Sequence, residues 1–235
     1  MRRDSTRDDL TPPRLWLLTP TLTDDLAVRW AKLLRHLAPV ADDRRVMLLL
    51  RQPAATDEAL LALLRPTTAA LPGITLGVRL DGEVDAARLR PLLHAAGRPL
   101  WLHLAERACL QPEVLRWPRA PSARSWTLAG ISRAAHDAAG LQRNAADDLD
   151  ASLLAPVLSP LSKPGVRPLG WPALQRLAQQ TPQRIVALGG LQPADVATVI
   201  ASGAFGVASQ STAFEAPVAD WVTALAAAPS PALRT

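Results

Sequence analysis

Between residues 14 and 226 the sequence alternates eight times between a short apolar run and a segment with helical patterning. The apolar runs fall at 14–18, 46–50, 74–80, 100–104, 126–132, 151–154, 184–188 and 205–208, and none shows strict apolar–polar alternation. Strands covered on both faces read this way, because no face needs to be polar. The helical segments fall at 24–37, 56–64, 84–95, 134–145, 171–179, 193–202 and 217–226, with only a short, Pro-ended helix at 111–118. Thr23 or Asp24 stands where the first N-cap belongs, and Thr56 where the second does. Strand–helix alternation implies a parallel sheet, and eight units imply closure. The expected fold class is α/β: a single (β/α)8 TIM barrel over 13–227, with loose tails at 1–12 and 228–235.

Composition is compatible with that fold. The chain has 235 residues, enough for one barrel, and 49% hydrophobic content supplies a full core. No apolar run approaches the length that spans a bilayer, and the start alternates charges with no apolar h-region. A single cysteine, Cys109, excludes an internal disulfide and a Cys-based zinc cage. The cytoplasm is the expected compartment. The net charge of +5 comes from arginine, since Lys32 and Lys163 are the only lysines. The arginines are scattered among acids, as in Asp42-Asp43-Arg44-Arg45, so no nucleic-acid stripe and no membrane surface is expected. A homo-oligomer is left open.

The last two units carry the sharpest signal. Leu188-Gly189-Gly190-Leu191 ends one apolar run, and Ser209-Gln210-Ser211 ends the next. Small residues and backbone N–H groups at the ends of the seventh and eighth barrel strands suit a phosphate. The other reading of the glycine pair is a tight turn. Lys163 sits in the Pro-rich loop Ser159-Pro160-Leu161-Ser162-Lys163-Pro164-Gly165, either as an anion-binding point charge or as a solvated loop lysine.

Several segments in chain order resemble the thiamine phosphate synthase/TenI family. Leu15-Trp16-Leu17-Leu18-Thr19 is similar to its opening strand, with Pro20 where the family has Asp. Gly130-Ile131-Ser132 resembles its "G-x-S", and residues 155–163 resemble its "G-P-V-F-x-T-x-T-K" loop. Pro168-Leu169-Gly170, the Gly189-Gly190 turn and the stretch from Gly206 to Ser211 complete the pattern, which spans 14–214 and is strongest in the C-terminal half.

The resemblance implies a phosphorylated thiazole ligand held at the seventh and eighth strand ends. Synthases of the family join a pyrimidine diphosphate to a thiazole phosphate. TenI-type members isomerise a thiazole carboxylate phosphate. By resemblance, Arg51, Arg79, Ser132, Ser162, Lys163, Gly189, Gly190, Ser209 and Ser211 bind substrate or phosphate, and His136 and Lys163 act in catalysis. The synthase would need Mg²⁺, but the family's two probable carboxylate ligands are replaced, leaving only Asp81 or Glu106 as stand-ins. No metal and no other cofactor is therefore expected.

His136 follows Ser132 by two residues more than the family's "S-x-H". It reads as the proton carrier of a TenI-like tautomerase or as a helix-start surface histidine. His103, inside an apolar run, reads as a core residue, or as a pocket residue if it faces the barrel mouth. A non-catalytic phosphate-ligand binding protein is the remaining alternative.

Overall fold

The computed structural model describes residues 12–19, 26–51, 56–118, 127–159, 165–210 and 217–229. Eight strands close into an all-parallel barrel: β1 (Leu15–Leu18), β2 (Val46–Leu50), β3 (Thr75–Leu80), β5 (Leu100–Leu104), β7 (Leu128–Ala135), β8 (Ala151–Leu154), β9 (Ile185–Leu188) and β10 (Gly206–Ser209). Between them lie α1 (Leu26–Leu37), α2 (Asp57–Ala70), α3 (Ala86–Ala96), α4 (Pro112–Leu115), α5 (Ala138–Ala146), α6 (Trp171–Gln180) and α7 (Val196–Ala201), and α8 (Val218–Ala227) follows the last strand. The order β1-β10-β9-β8-β7-β5-β3-β2 seals the first strand against the last, so no edge is left open. Among the described residues no helix is long and apolar enough to cross a membrane.

Period-two alternation sorts each strand into two buried layers. Leu15, Leu17, Leu48, Leu50, Leu76, Val78, Leu100 and Leu102 face outward and pack under the helices. Trp16, Leu18, Met47, Leu49, Trp101 and Val186 face inward and fill the barrel. Both layers are apolar, which explains runs without alternation.

The lower interior is built around Trp101. Its strand neighbours at the same height are Gly77 on one side and Gly130 on the other. A Cβ on Gly130 would stand 2.4 Å from the Trp101 ring. Glycine is required there by close approach, since the indole lies across its neighbour's Cα. Trp16 meets Trp101 edge-on at 5.4 Å between centroids and donates Nε1–H to the Pro13 carbonyl at 2.6 Å.

Three local expectations are corrected. The fifth barrel strand runs Leu128–Ala135, not 126–132, because Ala134 and Ala135 pair with Leu153 and Leu154 of β8. The next helix starts at Ala138, not at 134, because the Asp137 carboxylate caps it by accepting from Gly140 N at 2.8 Å. Alanine favours helix, but ladder pairing overrides so small a preference. An unanticipated two-stranded sheet, β4 (Glu83–Val84) with β6 (Cys109–Leu110), flanks the mouth.

Candidate functional site at the barrel mouth

The strand C-termini open into a cavity of about 620 Å³. Its walls come from opposite sides of the barrel and differ in kind. β2, β3 and β5 supply long charged side chains. β8, β9, β10 and the turns after them supply uncharged groups: Leu153, Leu188, the Gly189-Gly190 turn, Ala208 and Ser209.

On the charged side, Arg51 follows the last residue of β2. The Thr19 hydroxyl fixes its backbone, accepting Arg51 N–H at 2.8 Å and donating to the Arg51 carbonyl at 3.3 Å. Arg79 of β3 pairs with Asp81 at 2.8 Å. The Arg88 guanidinium braces the turn that carries Asp81, donating to the Asp81 carbonyl at 2.6 Å and to the Glu83 carbonyl at 2.9 Å. Burial, and then the neighbouring Arg79 charge, hold the Arg51 pKa below its ordinary value, with Asp81 opposing. Two guanidinium groups are thus gathered beside one carboxylate that is already paired.

Arg79, His103 and Ser132 stand at one height on three successive strands. His103 is 1% exposed, yet it forms part of the cavity floor. Burial, Arg79 and Arg51, in that order, lower its pKa to about 3. The ring is therefore neutral at physiological pH. Both sequence readings of His103 hold: it is a core residue and a pocket residue. The structure places Ser132 below the cavity. Its side chain is fully buried and absent from the cavity wall; its Oγ accepts Trp101 Nε1–H at 2.8 Å and meets His103 Nδ1 at 2.9 Å. It sits beneath the ligand space and holds up its floor.

His136 lies one residue beyond the end of β7 and lines the cavity. Ser132, Ala134 and His136 are spaced by two, so they share the inward direction. Placing His136 two residues later than the family pattern raises it along the wall without turning it outward. Its Nδ1 lies 2.5 Å from the Ala155 carbonyl, an acceptor, so Nδ1 carries the proton. In the neutral ring Nε2 then holds the lone pair. The Glu106 carboxylate lies 3.7 Å from Nε2 and accepts from Arg143 at 3.2 Å.

On the backbone side, Gly189 and Gly190 line the cavity together with Ser209 and Gln210. Both glycines adopt positive φ, 110° and 65°. A Cβ on Gly189 would meet Pro156 Cα at 2.8 Å, and one on Gly190 the Ser159 carbonyl at 2.7 Å. The turn is thus sterically obligatory as well as open to the cavity, and the two readings of the glycine pair are compatible. The loop after β8 rests on it, with Val157 N–H donating to Leu188 O and Leu158 N–H to Gly189 O. Ser162, Lys163 and Ser211 lie outside the described residues.

The cavity gathers Arg51, Arg79, His136, Gly189, Gly190 and Ser209 of the sequence-predicted set. Sequence reasoning missed Thr19 and Arg88 as braces and Arg143 as the partner of Glu106. It named Glu106 only as a metal stand-in. The Thr19 and Arg143 contacts join residues more than thirty positions apart, and the Arg88 contacts are to backbone carbonyls, so no spacing announces them.

The carboxylates that could receive a divalent cation here are already engaged. Of the two candidate carboxylates, Asp81 is held by Arg79 and Glu106 lies between Arg143 and His136. Among the described residues no three His, Cys, Asp or Glu side chains converge. A guanidinium on each carboxylate competes with a cation for its oxygens.

A family model described as thiamine monophosphate synthase matches residues 121–213. The resemblance to the thiamine phosphate synthase/TenI family therefore stands, carried by those residues. No curated protein matches the chain. Among solved structures, a thiamine phosphate pyrophosphorylase from Pyrococcus furiosus is 13% identical with a TM-score of 0.63, over 92% of this chain and 97% of that one. A 3-hexulose-6-phosphate synthase is 15% identical with a TM-score of 0.63, over 92% of this chain and 100% of that one. The 3-hexulose-6-phosphate synthase from Salmonella typhimurium is 11% identical with a TM-score of 0.59, over 91% and 98%. At such identities the likeness to the thiamine phosphate synthase/TenI structure is one of fold.

Proposed function

We propose that this barrel binds a small phosphorylated thiazole across its mouth and moves a proton on it without a metal, as a TenI-like tautomerase. The observation that carries the reading is His136, whose Nδ1–H is fixed on the Ala155 carbonyl while the ring lines the same cavity as the Gly189-Gly190 turn. A base needs a lone pair aimed at the ligand and a second nitrogen held still. His136 has its Nδ1 held on the Ala155 carbonyl and its ring in the cavity wall, which supports this role.

In this reading the phosphoryl group sits against Gly189, Gly190 and Ser209, at the ends of β9 and β10. Ser162, Lys163 and Ser211 extend that region in sequence. The ring then lies over Leu18, Leu153 and Ala208, which form the apolar part of the wall. His136 Nε2 takes a proton from one ring position and returns it at another. The C–H electron pair becomes part of the new double bond, and nothing is gained or lost overall. The Glu106 carboxylate lies 3.7 Å from Nε2, and Arg143 donates to it at 3.2 Å and keeps it in place.

Calorimetric titration with thiazole phosphate, with and without Mg²⁺ and a pyrimidine diphosphate, tests the binding step. The expected result is binding of thiazole phosphate that Mg²⁺ leaves unchanged. Mg²⁺-dependent binding of the diphosphate would restore the synthase reading. His136→Asn then separates enzyme from binder: proton exchange into the ligand, followed by NMR in deuterated water, falls about 10²–10⁴-fold while affinity stays within a factor of a few. Exchange no faster than in the free ligand would leave a binding protein, and equal, accelerated exchange in both proteins would remove His136 as the base.

A further inference from the structure

The buried trio beneath the mouth fixes more than packing. Trp101 Nε1 is a donor with no acceptor capacity, so it occupies one lone pair of the Ser132 hydroxyl. Ser132 is fully buried, and its hydroxyl proton needs an acceptor. Among the described residues the acceptor within reach is His103 Nδ1, at 2.9 Å. Nδ1 therefore receives a hydrogen bond and carries no proton. In a neutral imidazole the proton must then be on Nε2. No hydrogen-bond partner for that nitrogen is present among the described residues, and the ring forms part of the cavity floor.

We propose that His103 is a fixed neutral donor that presents Nε2–H from the cavity floor to an acceptor-only group of the ligand, an anionic oxygen such as a carboxylate or enolate. The surroundings agree. Arg79 stands beside His103 on the neighbouring strand, and both Arg79 and Arg51 disfavour a charged ring. The edge of Trp16 closes one flank at 6.2 Å between ring centroids. The carboxylate at this end, Asp81, is already accepting from Arg79. This end of the cavity offers N–H groups and little to accept one. It favours a group with lone pairs and no hydrogens, and it leaves a bound donor unpaired.

The role differs from that of His136. A ring held neutral by its neighbours neither releases a proton at ordinary pH nor takes one up. It polarises the atom it touches and keeps the ligand's orientation. The proposal rests on the cavity of the proposed function but not on a thiazole or on His136, because the tautomer is read from the free protein.

The test is nitrogen-15 NMR of the histidine side chains in the full chain. Expected is a His103 signal with a protonated Nε2 and an unprotonated Nδ1, constant from about pH 5 to 8, where an ordinary histidine titrates. Acetate should shift Nε2–H in a saturable manner, and its neutral isostere acetamide should not. Ser132→Ala should turn the single tautomer into a mixture. If that variant does not fold, the wild-type spectrum still decides. A proton on Nδ1, a titration within that window, or equal responses to acetate and acetamide would each overturn the proposal.

Discussion

The two halves of the barrel mouth are made of different material. From β8 to β10 the wall is uncharged, of backbone with apolar and small polar side chains, organised by the Gly189-Gly190 turn packed on the 156–159 loop. From β2 to β5 it is side chains: Arg51, Arg79 and His103, braced from outside by Thr19 and Arg88. A wall built from a glycine turn shows in the residue types themselves, because few residues tolerate its positive φ and its close approach to the 156–159 loop. A wall built from side chains shows only through the partners that hold them, Asp81 for Arg79 and Thr19 for the Arg51 backbone. The family match at 121–213 covers the first wall and stops short of the second.

If the glycine wall is sterically obligatory, Gly189→Ala should have the largest effect on stability. It forces a side chain into positive φ and within 2.8 Å of Pro156 Cα. Strain of this kind and overpacking each cost about 1–3 kcal/mol, so a melting temperature lower by roughly 10 °C is expected in calorimetry. A shift of only a degree or two would mean that the loop yields, and the contrast between the walls would weaken.

The charged wall should reveal itself through pH. The His103 pKa is lowered to about 3, so the unfolded chain binds a proton that the folded one does not. Stability conferred by the neutral buried ring is complete above the unfolded value, near pH 6.5, and is lost as pH falls toward 3. The slope should approach about 1.4 kcal/mol per pH unit across that window. Denaturant titrations of wild type and His103→Gln at several pH values measure it. If His103→Gln falls as steeply as wild type, the ring is not the group responsible.

A smaller effect is expected at the base of the same wall. Trp101→Phe removes the Nε1–H donated to Ser132 and leaves space between Gly77 and Gly130. The expected loss is about 1–3 kcal/mol, read as a lower denaturation midpoint. Adding Gly130→Ala should recover part of it, because the ring that excluded the Cβ is trimmed; two additive losses would show that the pair is not in contact.

The least costly change should be Asp137→Ala at the start of α5, about 1 kcal/mol for a lost cap. It also sharpens the comparison, because the helix it caps carries Arg143, which holds Glu106 beside His136.

Much of the architecture was legible in the sequence because closure of a barrel demands the same apolar strand eight times. Eight apolar runs coincide with the eight barrel strands; α2 runs on to Ala70, six residues past the expected 64, and the fifth strand was missed where alanines 134 and 135 have weak preferences that strand pairing overrules. The site was less evenly legible. Gly189 and Gly190 stand out because so few residues tolerate their backbone. Arg51 and Arg79 could be named from a resemblance. The surroundings of Ser132 were not legible because a motif does not state what the hydroxyl points at; here Trp101, which the motif does not include, donates to it. Thr19 and Arg88 gave no signal, since a brace is recognised by what it reaches.

The two extra residues between Ser132 and His136 have an engineering consequence. A barrel strand extended by an even number of residues advances its terminal side chain by one tier, about 6.6 Å for two residues, and keeps its aim. An odd extension would turn the same group into the helix shell. Strand-end length thus works as a ratchet with a two-residue tooth, by which a reactive group can be moved toward or away from a bound molecule while the scaffold beneath stays as it is.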